Sequence, residues 1–167
     1  IDNVCTWEWN NQTDIGKTFA ESVDEKIAEF PEWEKEIRMY WEQWEDMIGG
    51  AVEGMEEWIR ELKEAGYNVY GLSNWSSETF PLVKNKFPVF GMMDGIVMSG
   101  EELIAKPDLR IYQILLDRYG LKADECVFID DRQSNIDAAQ AIGIHGITFK
   151  SCEQTKQAFH QIANKYN

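Results

Sequence analysis

No apolar run in these 167 residues approaches the ~20 that a membrane-spanning helix needs, and no signal peptide stands at the start. A membrane role is therefore not expected. Cysteine is scarce: Cys5, Cys126 and Cys152 are odd in number and lack metal-ligand spacing. This excludes a disulfide framework and points to a reducing, cytoplasmic setting. Cys126 falls in a predicted strand and reads as a small buried residue. Bases are scarce too, 16 against 30 acids, for a net charge of −14. Nucleic acid requires a basic footprint and is not an expected partner, whereas a few local donors suffice for one small anion. There is no internal repeat and no low-complexity tract. The chain opens at Ile1 rather than Met, in what reads as helix or loop, and upstream residues are expected.

What is present can build a core, at 44% apolar content. The length suits one domain, or a core with a small appendage. Charge divides the chain unevenly: residues 1–65 hold 18 acids and 6 bases, residues 66–167 hold 12 and 10. Residues 1–20 are polar and Trp-rich, with Gly16 as a breaker. A short helix is predicted over 22–30, stopped by Pro31. A long amphipathic helix is predicted over 32–48, where Trp33, Ile37, Trp41, Trp44 and Ile48 recur at steps of three and four. That stripe reads as helix packing; a substrate-facing role for one or two of its Trp is the sharper alternative. Another helix carries Met55, Trp58, Ile59 and Leu62, with Gly66 as its C-cap.

From Tyr67 onward the period changes. Strands are predicted over 67–72, 95–98, 126–129 and 147–149. Helices are predicted over 78–86, from Pro107 to Tyr119, from about 134 to 142 and over 153–165. Alternating strand and helix calls for a parallel sheet with right-handed crossovers and helices on both faces. The fold class expected is α/β, a Rossmann-like three-layer parallel sheet, with an N-terminal helical segment over 1–48 and the core over 49–167.

The core turns on Phe128-Ile129-Asp130-Asp131, where an apolar strand stops at two adjacent carboxylates. Open α/β sheets bind ligands at this edge. Two adjacent carboxylates repel unless a cation offsets them, and Mg²⁺ is the obvious hard cation. Ser73-Asn74 follows another strand, and Lys106 precedes a helix, held by Pro107. A hydroxyl with exposed N–H groups binds phosphoryl oxygens, a lysine neutralises them, and paired acids hold a metal that orients them. Each group alone has a plainer reading. Ser73-Asn74 makes a turn, Lys106 is a surface charge, and the acids offset a helix dipole. Ser134 or Asn135 reads as an N-cap, with Asp137 completing a capping box. The order of the three groups together favours a site.

Leu72-Ser73-Asn74, then Lys106-Pro107-Asp108, then Phe128-Ile129-Asp130-Asp131 resembles motifs II, III and IV of the haloacid dehalogenase superfamily. Gly71 to Ser77 and Asp94 to Glu101 resemble its phosphatase-like members, and residues 1–48 resemble its small helical cap. The resemblance implies Mg²⁺-dependent phosphoryl transfer through an aspartyl-phosphate. Ser73 and the backbone of Asn74 would bind the phosphoryl group of a small phosphorylated metabolite, and Lys106 would neutralise it. Asp130 and Asp131 would hold Mg²⁺, and Asn135 would support them. The cap would close over the substrate. The protein would act as a monomer or homodimer.

One motif departs. The family's Asp-x-Asp after the first strand, which supplies the nucleophile, is absent. Asp94-Gly95 is the nearest lookalike, but it lies between motifs II and III. The nucleophile and the central strand are expected upstream, and these 167 residues alone are expected to be inactive. A 2-haloacid dehalogenase is the near alternative, although the acid pair favours the metal-dependent branch. A non-catalytic relative that keeps the phosphate pocket is a further alternative. A receiver-like domain would carry its acid pair early and its lysine late, the reverse of the order here.

Overall fold

The computed structural model describes residues 3–165; Ile1, where the expected cap begins, lies outside them. Helix α1 (Trp7–Asn11) starts at Thr6, whose hydroxyl accepts the Trp9 N–H, and Thr13–Ile15 follows as a 3₁₀ turn. The start of the chain reads as helix or loop, and the structure makes Trp7–Asn11 helix; its one deeply buried residue is Trp9. Helix α2 (Phe19–Glu29) opens with a full capping box between Thr18 and Glu21. The helix predicted over 32–48 is broken. A 3₁₀ turn at Pro31–Trp33 leads into α3 (Glu34–Glu42), and a second turn, Trp44–Met47, follows Gln43.

The break divides the aromatic stripe. Trp33, Ile37 and Trp41 pack with Val4, Trp9 and Val23, while Trp44 and Ile48 turn to a different cluster with Phe80, Val83 and Trp75. An unbroken helix would not serve both clusters. Packing, the plainer reading of the stripe, accounts for all of its members.

Helix α4 (Met55–Glu64) ends at Ala65, and Gly66 follows with a φ of 90°, a backbone conformation glycine adopts without strain. The core then runs β1 (Tyr70–Ser73), α5 (Phe80–Val83), α6 (Val89–Met92), β2 (Gly95–Met98), α7 (Ser99–Glu102), α8 (Leu109–Tyr119), β3 (Val127–Asp130), α9 (Gln133–Ala141), β4 (His145–Thr148) and α10 (Cys152–Ala163). The short α6 and α7 carry too few residues to show a period. The first strand begins three residues later than predicted and the last two residues earlier. Cys126 precedes β3 and is only half-buried, with its thiol donating to the Lys122 carbonyl.

All strand pairing is parallel. β1 pairs with β2, from Tyr70 opposite Gly95 to Ser73 opposite Met98, and β3 pairs with β4, from Val127 opposite His145 to Asp130 opposite Thr148. Among the described residues these are two separate two-stranded sheets, β1-β2 and β3-β4. Helices cover both faces, as parallel strands require. Leu72, Val97 and Phe128 pack against Tyr112, Leu115 and Leu116 of α8 and Ala139 of α9. Val127, Ile129 and Ile147 face Trp58 of α4 and Phe159 of α10.

The free edges of β1 and β3 line one groove of about 770 Å³, floored and roofed by side chains such as Leu116, Ile144, Phe159 and Ile162. No helix among the described residues is long and apolar enough to cross a membrane.

Candidate active site

Lys106 ties the two half-sheets together. Its ammonium donates to the Leu72 carbonyl at 2.6 Å, at the end of β1, and to Asp130 Oδ2 at 2.7 Å, at the end of β3. The C-terminal ends of β1 and β3 thus meet at one place, at the mouth of the groove. The pair is buried, with side-chain exposures of 9% for Lys106 and 6% for Asp130. The Phe128 ring lies 5.4 Å from the ammonium. Leu72 O is a ladder acceptor on a free strand edge, and the lysine supplies the donor that a neighbouring strand would supply.

The lysine is held from behind. Asn74 Nδ2 donates to the Lys106 carbonyl at 3.0 Å, and the Lys106 N–H donates to Asn74 Oδ1 at 2.8 Å. This reciprocal pair spends the whole Asn74 side chain on the Lys106 backbone. Only the main chain of Asn74 is left for a ligand, as the resemblance implies. Ser73 is half-buried at the end of β1, and its hydroxyl makes no hydrogen bond among the described residues.

Asp130 accepts three hydrogen bonds. Besides Lys106, its Oδ1 accepts the Arg132 N–H at 2.9 Å and Asn135 Nδ2 at 2.9 Å. Burial alone would raise its pKa. The hydrogen bond and charge of Lys106, with the Arg132 N–H and Asn135, outweigh burial and hold the carboxyl below its ordinary value. Asp131, next to it, is exposed and has no side-chain partner among the described residues.

The capping reading of Ser134 and Asn135 is corrected. Helix α9 begins at Gln133, and its N-cap is Arg132, without a side-chain cap bond. Asn135 sits inside the first turn because its amide is needed by Asp130. Asp137 accepts from Gln133 and completes no capping box.

Three neighbours were not assigned to the site from sequence. Tyr112 donates its hydroxyl to the Asn135 carbonyl at 2.8 Å, and burial and then the Asp130 charge push its pKa up. Ser99 accepts the Trp75 N–H at 2.9 Å and steadies the loop after Ser73. Arg132 supplies a backbone N–H to the site. The Tyr112 and Ser99 contacts join residues 23 and 24 positions apart, whereas the Arg132 contact is local to the turn after Asp130. Asp94, the lookalike, stands at the opposite edge, where it accepts from Lys63 at 2.6 Å and from the Val69 N–H at 2.8 Å.

The donor set suits a hard cation in part. Asp130 and Asp131 offer carboxylate oxygens, but no group of three His, Cys, Asp or Glu side chains among the described residues is arranged to hold a metal. Mg²⁺ is commonly held by one or two carboxylates, with water and phosphate completing its shell, so two acids fit it without closing a site.

The ends of β1 and β3 bring the Ser73 hydroxyl and the paired acids to one edge of a parallel α/β fold, and Lys106 reaches that edge from the loop before α8. The chain belongs to the haloacid dehalogenase-like hydrolase family, whose model matches residues 5–143. Among curated relatives, it is 33% identical over 107 residues to the sesquiterpene phosphatase astK of Aspergillus oryzae, covering 62% of this chain and 55% of that protein. It is 30% identical over 91 residues to (S)-2-haloacid dehalogenase 4A of Burkholderia cepacia, covering 54% and 39%. The chain thus spans about half the length of the first of these relatives and less of the other. Among solved structures, it superposes on a family enzyme of Bacteroides thetaiotaomicron in complex with magnesium and inorganic phosphate. The TM-score is 0.72 at 25% identity, over 91% of this chain and 80% of that one. A hydrolase of Porphyromonas gingivalis, predicted to be HAD-like, shares the fold with a TM-score of 0.75 at 17% identity, over 97% and 82%.

Proposed function

We propose that this chain carries the phosphoryl-binding and metal-binding parts of a phosphatase acting on a small phosphomonoester. The observation that carries the reading is the Lys106 ammonium, bonded at once to Leu72 O and Asp130 at the mouth of the groove. A strand ending in Asp-x-Asp, seated in that groove parallel to β1 and β3, would bring an aspartyl nucleophile beside this ammonium. The carboxylate would attack phosphorus and the alcohol would leave; water would then release phosphate from the aspartyl-phosphate. Ser73 and the Asn74 backbone would hold the phosphoryl oxygens, and Lys106 would offset their charge. Asp130 and Asp131 would hold Mg²⁺, which supplies charge neutralisation and orientation when bound, with Asn135 fixing Asp130. Residues 1–48 would act as a cap that selects the leaving group and excludes water. The phosphatase relative and the magnesium–phosphate complex of a structural neighbour support the reading.

The test is phosphate release by the full-length gene product from a panel of sugar, terpenoid and nucleotide monophosphates with Mg²⁺. Turnover is expected, and Lys106→Ala or Asp130→Asn should lower kcat by about 100-fold or more. No release from any substrate sinks the proposal, whereas turnover by residues 1–167 alone would overturn the expectation that these residues are inactive without an upstream nucleophile. The haloacid dehalogenase relative favours a second reading, displacement of halide at carbon without metal. Chloride released from a 2-chloro acid in EDTA would establish it instead.

A further inference from the structure

We infer that Arg132 and Trp7 form a leaving-group subsite for a substrate carboxylate, an inference that rests on the phosphatase reading. The chain has five arginines. Four are paired with carboxylates: Arg38 with Glu34, Arg60 with Glu57, Arg110 with Asp108 and Arg118 with Glu102. Arg132 has no carboxylate partner among the described residues, in a chain holding 30 acids. Asp131 is adjacent and free, yet the guanidinium does not turn to it. It lies instead over the Trp7 ring, with Cζ 5.0 Å from the centroid.

Both residues are built for position. The Arg132 N–H is bonded to Asp130, so its Cα is fixed on the rim of the site. Trp7 stands on α1 of the N-terminal segment. Trp9, two residues on, is 5% exposed, stacks edge-on with Tyr40 and donates its indole N–H to Ser22 O. Trp7 is 54% exposed and, among the described residues, belongs to none of the apolar clusters. Its described ring contact is the arginine.

A guanidinium lying against an indole is oriented while its N–H groups stay available. Its planar fork matches a carboxylate with two parallel hydrogen bonds. Lys106 is already matched by Asp130, so Arg132 is the cation beside the acid pair that remains uncommitted. A monoester whose alcohol part bears a carboxylate would present its phosphoryl group to Ser73 and Lys106 and its carboxylate to Arg132. The competing role, a contact that merely holds the N-terminal segment on the core, predicts no preference among leaving groups.

The experiment compares kcat/KM of the full-length gene product for 3-phosphoglycerate and glycerol 3-phosphate, with the inhibition constant of inorganic phosphate measured alongside. The carboxylate substrate is expected to be preferred by about 10-fold or more. Arg132→Gln should bring the ratio to near unity and leave phosphate inhibition within about two-fold, and Trp7→Ala should reduce the ratio several-fold. A wild-type ratio near one overturns the inference. So does a ratio unchanged in Arg132→Gln or in Trp7→Ala, or a loss in Arg132→Gln that phosphate inhibition shares in full. Each of these leaves the phosphatase reading standing. Absence of turnover on every phosphomonoester overturns both.

Discussion

Lys106 and Asp130 form a buried ion pair whose members depend on each other. Removing one partner leaves the other charged, buried and unmatched, a larger penalty than the pair's net contribution. Lys106→Met keeps the length and apolar stem of the side chain but strands Asp130 and the Leu72 carbonyl. Its unfolding free energy is expected to fall by about 3 kcal/mol, read from urea titrations. A drop no larger than that of an exposed control such as Lys122→Met would show that the pair contributes nothing. At this scale the sequence was informative in part. Ser73, Lys106 and Asp130-Asp131 were legible because each follows a strand or precedes a helix at a fixed offset. The Asn74 clamp was not, because its two bonds span 32 positions. Nor was the Asn135 amide, because a polar residue at a helix start reads first as a cap.

The longer elements of the second half were legible because period and punctuation agree there, whereas the four-residue α6 and α7 were not. Gly66, Pro88 and Gly120 bound segments whose apolar spacing switches between two and 3.6. The first half misled where one apolar stripe serves two cores, since periodicity carries no record of which partner a face meets. The strands raise a further question at this scale. β1 and β3 each present a free edge to the same groove. Unpaired edges between apolar faces favour an added strand. A synthetic peptide of five apolar β-formers followed by Asp-x-Asp, added in trans, should raise Tm in proportion to the logarithm of its concentration. It should also slow amide exchange over Tyr70–Ser73 and Val127–Asp130. Equal effects from a peptide of the same composition in scrambled order would reject a strand-shaped slot.

Across the whole molecule, the N-terminal segment meets the core along a seam of buried polar groups. Buried Asp14, in the Thr13–Ile15 turn, lies on one side and accepts the N–H of buried Ser76 on the other. Glu78 accepts the Phe19 N–H at 2.7 Å across it. Asp14 is 7% exposed, and burial pushes its pKa up to about 6, with the Ser76 N–H pulling it back. Its folded value lies above the unfolded value of about 3.9, so between the two the folded state binds the extra proton. Stability from this group is therefore greatest at low pH and falls as pH rises through about 6. The carboxyls held low, Asp94, Asp108 and Asp130, act with the opposite sign. Their contribution is complete above about pH 4 and is lost only below it, so the window from pH 5 to 7 isolates Asp14. Across that window the wild-type chain should lose about 1 kcal/mol relative to Asp14→Asn, whose amide cannot ionise. Urea midpoints of the two proteins at pH 5, 6 and 7 measure the difference. Parallel profiles would mean that Asp14 is solvated in the folded state and that the seam admits water, whereas a widening gap shows a carboxylate kept dry between the two parts of the molecule.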